Sequence, residues 1–198
     1  MSGAFIGFEG ADGAGKTTDC NRVRAELESR GMQVEVTAEP THEGIGAFIR
    51  SGSAGDISQK TEALLFVADR NDHTERMDRL RSEGKVVLCD RYFASTVAYQ
   101  SAKLDGDATD RDWLIEINRQ FTDKPDMTIL LDIDPDVGLG RVDSRGEEVS
   151  KFERKDFLIQ VRENYLRLAD EYGFRVVDAS RDADSVYVDV MKVIEEVL

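Results

Sequence analysis

The sequence predicts an α/β fold: a single doubly wound domain over residues 1–198, with a five-stranded parallel sheet and helices on both faces. Three observations lead there. Short apolar, β-branched runs alternate with longer amphipathic stretches along the whole chain. Two of the runs, KVVLCDRY and MTILLDIDP, are apolar almost without interruption, as strands covered on both faces must be. The first run leads through a glycine loop directly into a helical pattern. At 198 residues the chain fits one domain large enough to bury a core without staples. No internal repeat, low-complexity tract or interdomain linker breaks it.

The elements follow in order. AFIGFEG is short and bounded by glycine, which favours a strand. TTDCNRVRAELESRG is a helix, with Val23 and Leu27 four apart and Gly31 as the stop. MQVEVTAEP alternates and ends at Pro40, a second strand. HEGIGAFIRSG is a short helix entered through a glycine turn. SQKTEALLFVADRNDHTERMDRLRSEG places Leu64, Leu65, Val67, Ala68, Met77 and Leu80 at the spacing of a long helix, which Gly84 ends. KVVLCDRY is the third strand, followed by a helix from about Ala94 to Lys103 and another over RDWLIEINRQF. MTILLDIDP follows Pro125 as the fourth strand, with Asp132 and Asp134 at its carboxyl end. The next stretch begins helical, passes a charged segment containing Gly146, and resumes as a long amphipathic helix to Gly173. FRVVDAS is the last strand and DADSVYVDVMKVIEEVL the last helix.

Composition excludes several classes. Apolar residues make up 40% and charged residues 33%, a globular balance. A net charge of −14 leaves no basic surplus to neutralise nucleic-acid phosphates, so no nucleic acid is expected as partner. It suits high-salt cytoplasm or plain solubility equally. No apolar run approaches the roughly 20 residues that span a bilayer, and MSGAFIGFEG lacks the basic and apolar regions of a secretory signal. A cytoplasmic protein without membrane contact is expected. Cys20 and Cys89 lie far apart, which suggests neither a disulfide framework nor a zinc cluster; both are expected to be partly buried packing residues.

In such a fold the functional loops gather at the carboxyl ends of the strands. Gly10, Ala11, Asp12, Gly13, Ala14, Gly15, Lys16 and Thr17 complete the pattern G-x-x-x-x-G-K-[ST] between a strand and a helix. The glycines let successive N–H groups turn inward toward phosphate oxygens, Lys16 reaches the outer phosphates, and Thr17 offers a hydroxyl to Mg²⁺. The loop is therefore expected to hold a nucleoside triphosphate. After the third strand, Asp90 could organise Mg²⁺ through water and Arg91 could clamp a transferring phosphoryl group, with a structural salt bridge as the rival reading. Phe66 and Arg70 stand at i and i+4 and share a helix face, suited to stacking on a base and bonding its edge, although Phe66 taken without context reads as core. Arg141, Arg145, Lys151 and Arg154 concentrate in residues 141–155, either a solvated surface or a lid that excludes water and adds positive charge. His42 and His73, the only histidines, fall at no site-facing strand end and are expected at the surface.

Taken together and in order, FEGADGAGKTT, AEP, LLFVADR, DRYFASTVAYQ and FERKDFLIQVRENYLRLA resemble the thymidylate kinases, a family of the P-loop NTPase type, over essentially the whole chain. The resemblance implies phosphorylation of dTMP to dTDP with Mg-ATP, and a homodimer packed through helices, with the ALLFVA face and the Ala94 to Ala102 helix as candidates. It implies that Phe66 stacks on thymine, Arg70 bonds its edge, and Thr96, Tyr99 and Gln100 line the acceptor pocket beside Glu39 and Pro40. Asp12 would approach the sugar 3′-hydroxyl, and Arg91, helped by Arg50, would hold the monophosphate. Thr18 joins the triphosphate site, with Arg141 and Arg181 beside it; the loop DASRDAD around Arg181 reads as a wall of the adenine pocket or as a solvated turn.

Two departures matter. Many family members carry an arginine next to the AEP-type motif, whereas Thr41 and His42 follow Pro40 here, so Arg50 would carry more of the charge. Gly13 and Ala14 stand where one branch has a basic residue in the loop, so a lid arginine would supply it, with Arg145 beside Gly146 the first choice over Arg141 and Arg154.

Overall fold

The computed structural model describes residues 3–53, 55–102, 109–143 and 151–198, with the backbone alone for 143 and 151–154. Five strands form the sheet: β1 (Phe5–Glu9), β2 (Val34–Ala38), β3 (Val86–Asp90), β4 (Met127–Asp132) and β5 (Arg175–Asp178). Their order is β2-β3-β1-β4-β5, and every neighbouring pair is parallel. Between them run α1 (Lys16–Ser29), α2 (Gly44–Arg50), α3 (Gln59–Ser82), α4 (Phe93–Gln100), α5 (Arg111–Arg119), α6 (Pro135–Asp143), α7 (Lys151–Tyr172) and α8 (Ala183–Ile194). The doubly wound α/β expectation is met.

The apolar runs are strands because both sides of the sheet are covered. Ile6, Phe8, Leu88, Ile129 and Leu131 face α1 and α8, packing with Cys20, Val23, Leu27, Val190 and Ile194. Alternate residues point the other way: Val87 and Cys89 meet Met77 of α3, and Leu130 meets α4, α5 and α7 through Val97, Leu114 and Val161. A period of two thus serves two cores. Both cysteines are fully buried, deeper than expected.

Two elements differ from the sequence reading. The α4 helix stops at Gln100, not near Lys103, because the Gln100 carbonyl accepts the N–H of Thr109 at 3.1 Å while Ala102 N–H turns back to Tyr99 O at 3.2 Å. Lys103 itself lies outside the described residues. The apolar face of α4 cannot serve a dimer, since Ala94, Val97, Ala98 and Ala102 are buried within the protomer. Among the described residues, no helix is long and apolar enough to cross a membrane.

The connections position the site. From β1 the chain leaves toward β2 on one side, and from β3 it crosses to β4 on the other. A crevice opens at such a divergence, outside the carboxyl ends of the strands.

Candidate active site

The loop after β1 curls as its glycines allow. Gly10 has φ 145° and Gly13 φ 81°, and a Cβ on either would lie 2.5 Å from a backbone oxygen, of Leu131 and Gly138 respectively. The loop delivers the chain to the amino end of α1, where free N–H groups and the helix dipole favour an anion. Lys16 is buried, and its Nζ donates to the carbonyls of Gly10 at 2.9 Å and Ala11 at 3.0 Å. Burial, then the nearby charge of Arg91, bring its pKa down to about 8. Thr17 Oγ1 donates to Asp90 Oδ2 at the end of β3. Two hard oxygen donors beside a phosphate loop suit a divalent cation such as Mg²⁺.

Arg91 is turned into the crevice by a left-handed backbone, φ 71°, with its N–H tied to Phe8 O at 2.8 Å. Its guanidinium donates to Asp12 Oδ1 at 2.6 Å, Ser95 Oγ at 3.1 Å and the hydroxyls of Tyr99 and Tyr165 at 3.3 Å each. It also lies 5.0 Å from the Tyr99 ring centroid. Beneath it Glu9 is wholly buried. Its carboxylate accepts from Tyr92 N–H at 3.0 Å and from Ser95 Oγ at 2.6 Å, and Ser95 Oγ in turn meets Tyr165 OH at 2.7 Å. Burial pushes the Glu9 carboxyl up, against the pull of Ser95 and Arg91. Burial would also raise Asp12, but Arg91 and Lys16 outweigh it and hold that carboxyl below its usual range.

Two cavities meet here. The larger, about 750 Å³, is lined by Asp12 through Asp19 and by Asp90, with Arg50, Arg141 and Arg181 on its walls. The smaller, about 260 Å³, is lined by Phe66, Arg70, Thr96, Tyr99 and Gln100. Glu39, Pro40 and Arg91 belong to both. Phe66 is half-buried at this cavity and not in the core. Arg70 is buried and holds Glu39 and Thr96, while Gln100 donates to Glu62 at 3.0 Å.

The sequence thus brings together most of the residues it singled out. Arg50 reaches the larger cavity only, donating to Pro40 O at 2.8 Å and Thr41 O at 3.2 Å. Arg141 donates to the carbonyls of Gly13 at 3.2 Å and Ala179 at 2.9 Å, so α6 is pinned to the phosphate loop. Arg181 pairs with Asp189 at 2.6 Å. Arg145 lies outside the described residues, as do the side chains of Lys151 and Arg154. His73 corrects the sequence reading: it is buried, 2% exposed, while His42 is exposed as expected. The signal was available, since Ala63, Val67, Arg70, His73 and Met77 form one buried helical stripe. Asn118, Tyr165 and Arg162, which grips Asp132 at 2.7 and 2.8 Å, were missed because their partners lie 30 or more residues away.

A family model described as Thymidylate kinase matches residues 8–190. The chain belongs to the thymidylate kinase family. Among curated relatives, a probable thymidylate kinase of Staphylothermus marinus is 39% identical over 197 residues, covering 98% of this chain and 96% of the relative. One of Archaeoglobus fulgidus is 41% identical over 195 residues, with 98% and 96% covered. A thymidylate kinase of Xanthomonas oryzae is 40% identical over 186 residues, covering 93% of this chain and 79% of the relative.

Proposed function

We propose that the protein transfers the γ-phosphoryl group of Mg-ATP to dTMP, giving dTDP and ADP. One observation carries the reading: the cavity on the phosphate loop and the cavity walled by Phe66 and Arg70 share Arg91, so donor and acceptor phosphates would meet at one guanidinium. The triphosphate lies along Gly10 to Thr18 with Lys16 on its outer phosphates. Thymine stacks on Phe66 and bonds Arg70, with Thr96, Tyr99 and Gln100 around it. An acceptor phosphate oxygen forms the new P–O bond to the γ-phosphorus as the bond to the β–γ bridging oxygen breaks, and ADP leaves with that electron pair. The nucleophile is already an anion, so catalysis consists of in-line positioning and charge neutralisation.

Arg91 and Lys16 supply that charge, and a lid arginine, Arg145 first, is expected to add to it. Asp12 accepts from Arg91 and faces the acceptor sugar. Thr17, with Asp90 acting through water, would hold Mg²⁺, which would supply positive charge against the phosphates. Arg141 and Arg181 flank the nucleoside of ATP. The reading includes a homodimer, for which Leu64 of α3, half-exposed, offers an apolar contact, and a cytoplasmic setting, where two soluble nucleotides meet. The test is a coupled ADP-release assay with Mg-ATP and dTMP, dUMP, dCMP, dGMP and dAMP in turn. Dominant turnover of dTMP is expected. Turnover confined to another acceptor would overturn the base-pocket roles, and none with any acceptor would overturn the kinase reading.

A further inference from the structure

Arg70 is held by a buried chain of side chains, of which Thr37, His73 and Asn118 lie outside the motifs. Its guanidinium, 1% exposed, meets Glu39 Oε2 through Nε at 2.8 Å and Nη2 at 2.7 Å, meets Thr96 Oγ1 at 2.9 Å, and donates to Asn118 Oδ1. Three residues on along α3, His73 places Nδ1 2.9 Å from Glu39 Oε1 and Nε2 2.7 Å from Thr37 Oγ1. An ionised carboxylate only accepts, so Nδ1 carries the proton, and the Nε2 of a neutral ring accepts from the Thr37 hydroxyl. The order is Thr37 to His73 to Glu39, with Arg70 on the other carboxylate oxygen.

A buried ion pair is by itself weak evidence of stabilisation. What the chain fixes is direction. The terminal torsion of a glutamate is soft and roughly two-fold, so a Glu39 free at Oε1 could swing both oxygens onto Arg70 in a fork-to-fork pair. That would turn the guanidinium toward Glu39 and away from Thr96, Asn118 and the smaller cavity. We propose that His73 is a positioning residue for recognition of the acceptor base: by occupying Glu39 Oε1 it leaves one oxygen for Arg70 and keeps the guanidinium aimed into the cavity. This rests on the reading that the smaller cavity takes the base. Cys89 Sγ also lies within 4.8 Å of these groups, a spacing that would suit a metal. Arg70 already balances Glu39, however, and the Cys89 thiol, pushed well up by burial, donates to Arg91 O at 3.0 Å.

The test is steady-state kinetics of the full chain with Mg-ATP and dTMP, alongside thermal melting. For His73→Leu, which strands a buried acceptor, the KM for dTMP should rise about tenfold, with kcat and the KM for ATP changed less than about twofold. His73→Asn, whose amide puts a donor near the former Nδ1, should restore most of that loss. Thr37→Val, close in shape, should raise the KM for dTMP about threefold and serves if the leucine variant fails to fold. Equal impairment of the Asn and Leu variants, a loss confined to kcat or melting temperature, or an unchanged KM in Thr37→Val would overturn the proposal. Arg70→Ala separates the two levels: if it leaves the KM for dTMP unchanged the base-pocket reading fails, and if it raises that KM while His73→Leu does not, only the positioning role fails.

Discussion

Raising the pH should weaken ATP binding through Lys16 alone. The ammonium is buried against two carbonyls with Arg91 nearby, which brings its pKa to about 8. A bound triphosphate supplies the countercharge that this environment lacks, so the bound-state pKa lies higher and binding takes up a proton wherever free Lys16 has lost its own. The sign follows: affinity is full below about pH 7 and falls as pH rises through 8. With one proton linked, the free enzyme is about nine-tenths protonated at pH 7 and one-tenth at pH 9, so the dissociation constant rises about tenfold, or about 1.4 kcal/mol. The phosphate groups of ATP, with a last pKa near 6, are already ionised across this range. Calorimetric titration of ATP at fixed Mg²⁺, in buffers of different ionisation heat, reads both the affinity and the proton uptake. Lys16→Arg, which cannot deprotonate, should bind more weakly but with a flat profile. A flat profile in the unaltered protein, with no proton uptake at pH 8, would refute the link between burial of Lys16 and its role at the phosphates.

Three further outcomes are expected. Arg91→Ala should lower kcat about 100- to 1,000-fold while the melting temperature stays close to the original, since it removes charge from the point where the two cavities meet; near-normal turnover would mean that the acceptor phosphate sits elsewhere. Gly13→Ala forces a side chain into φ 81° and onto Gly138 O at 2.5 Å, so ATP affinity should drop at least about tenfold with a destabilisation of about 1–3 kcal/mol; an unaltered melting curve and ATP affinity would contradict the close packing of loop and α6. Tyr165→Phe removes a hydroxyl that touches both Ser95 and Arg91, and kcat should fall about three- to tenfold with the KM for ATP unchanged, checked by the same ADP-release assay.

The fold was legible because its physics is local. Strands such as VVLCD and MTILLD declare themselves by being apolar on both faces, and the phosphate loop by glycines at positions only glycine can occupy. What stayed hidden was every arrangement made across the sequence. The helical stripe could have placed His73 inside, but not its partners: Thr37, 36 residues away, and Glu39, 34 away, arrive on β2 and just past it. Tyr165 reaches Ser95 across 70 residues, and no spacing within α7 announces it. The end of α4 was misjudged for the same reason, since the N–H that caps Gln100 comes from Thr109. Phe66 shows the converse: its own helix could not separate a core ring from a pocket wall, and only the placement of Thr96 and Tyr99 opposite it does so.

The partners of the cations distinguish the two halves of the crevice. Lys16 and Arg50 donate to backbone carbonyls of the loops around the larger cavity. Arg91 leans mainly on hydroxyls, with Asp12 at 2.6 Å as its one carboxylate partner within salt-bridge distance among the described residues. A neutral acceptor orients a cation without cancelling its charge, so Lys16 and Arg50 can exchange a carbonyl for a phosphate oxygen with little rearrangement. Arg70 is the reverse: Glu39 balances it within a fully buried pair. A guanidinium so neutralised has little to offer a phosphate, yet the one N–H left on Nη1 can still bond an uncharged base edge. Arg181, on the wall of the larger cavity, is likewise paired with a carboxylate, that of Asp189. The chain, at −14 overall, therefore need not carry a basic surface to attract nucleotides. On the proposed reading, cations that lean on carbonyls and hydroxyls would meet the phosphates, and Arg70, balanced by Glu39, would meet the base.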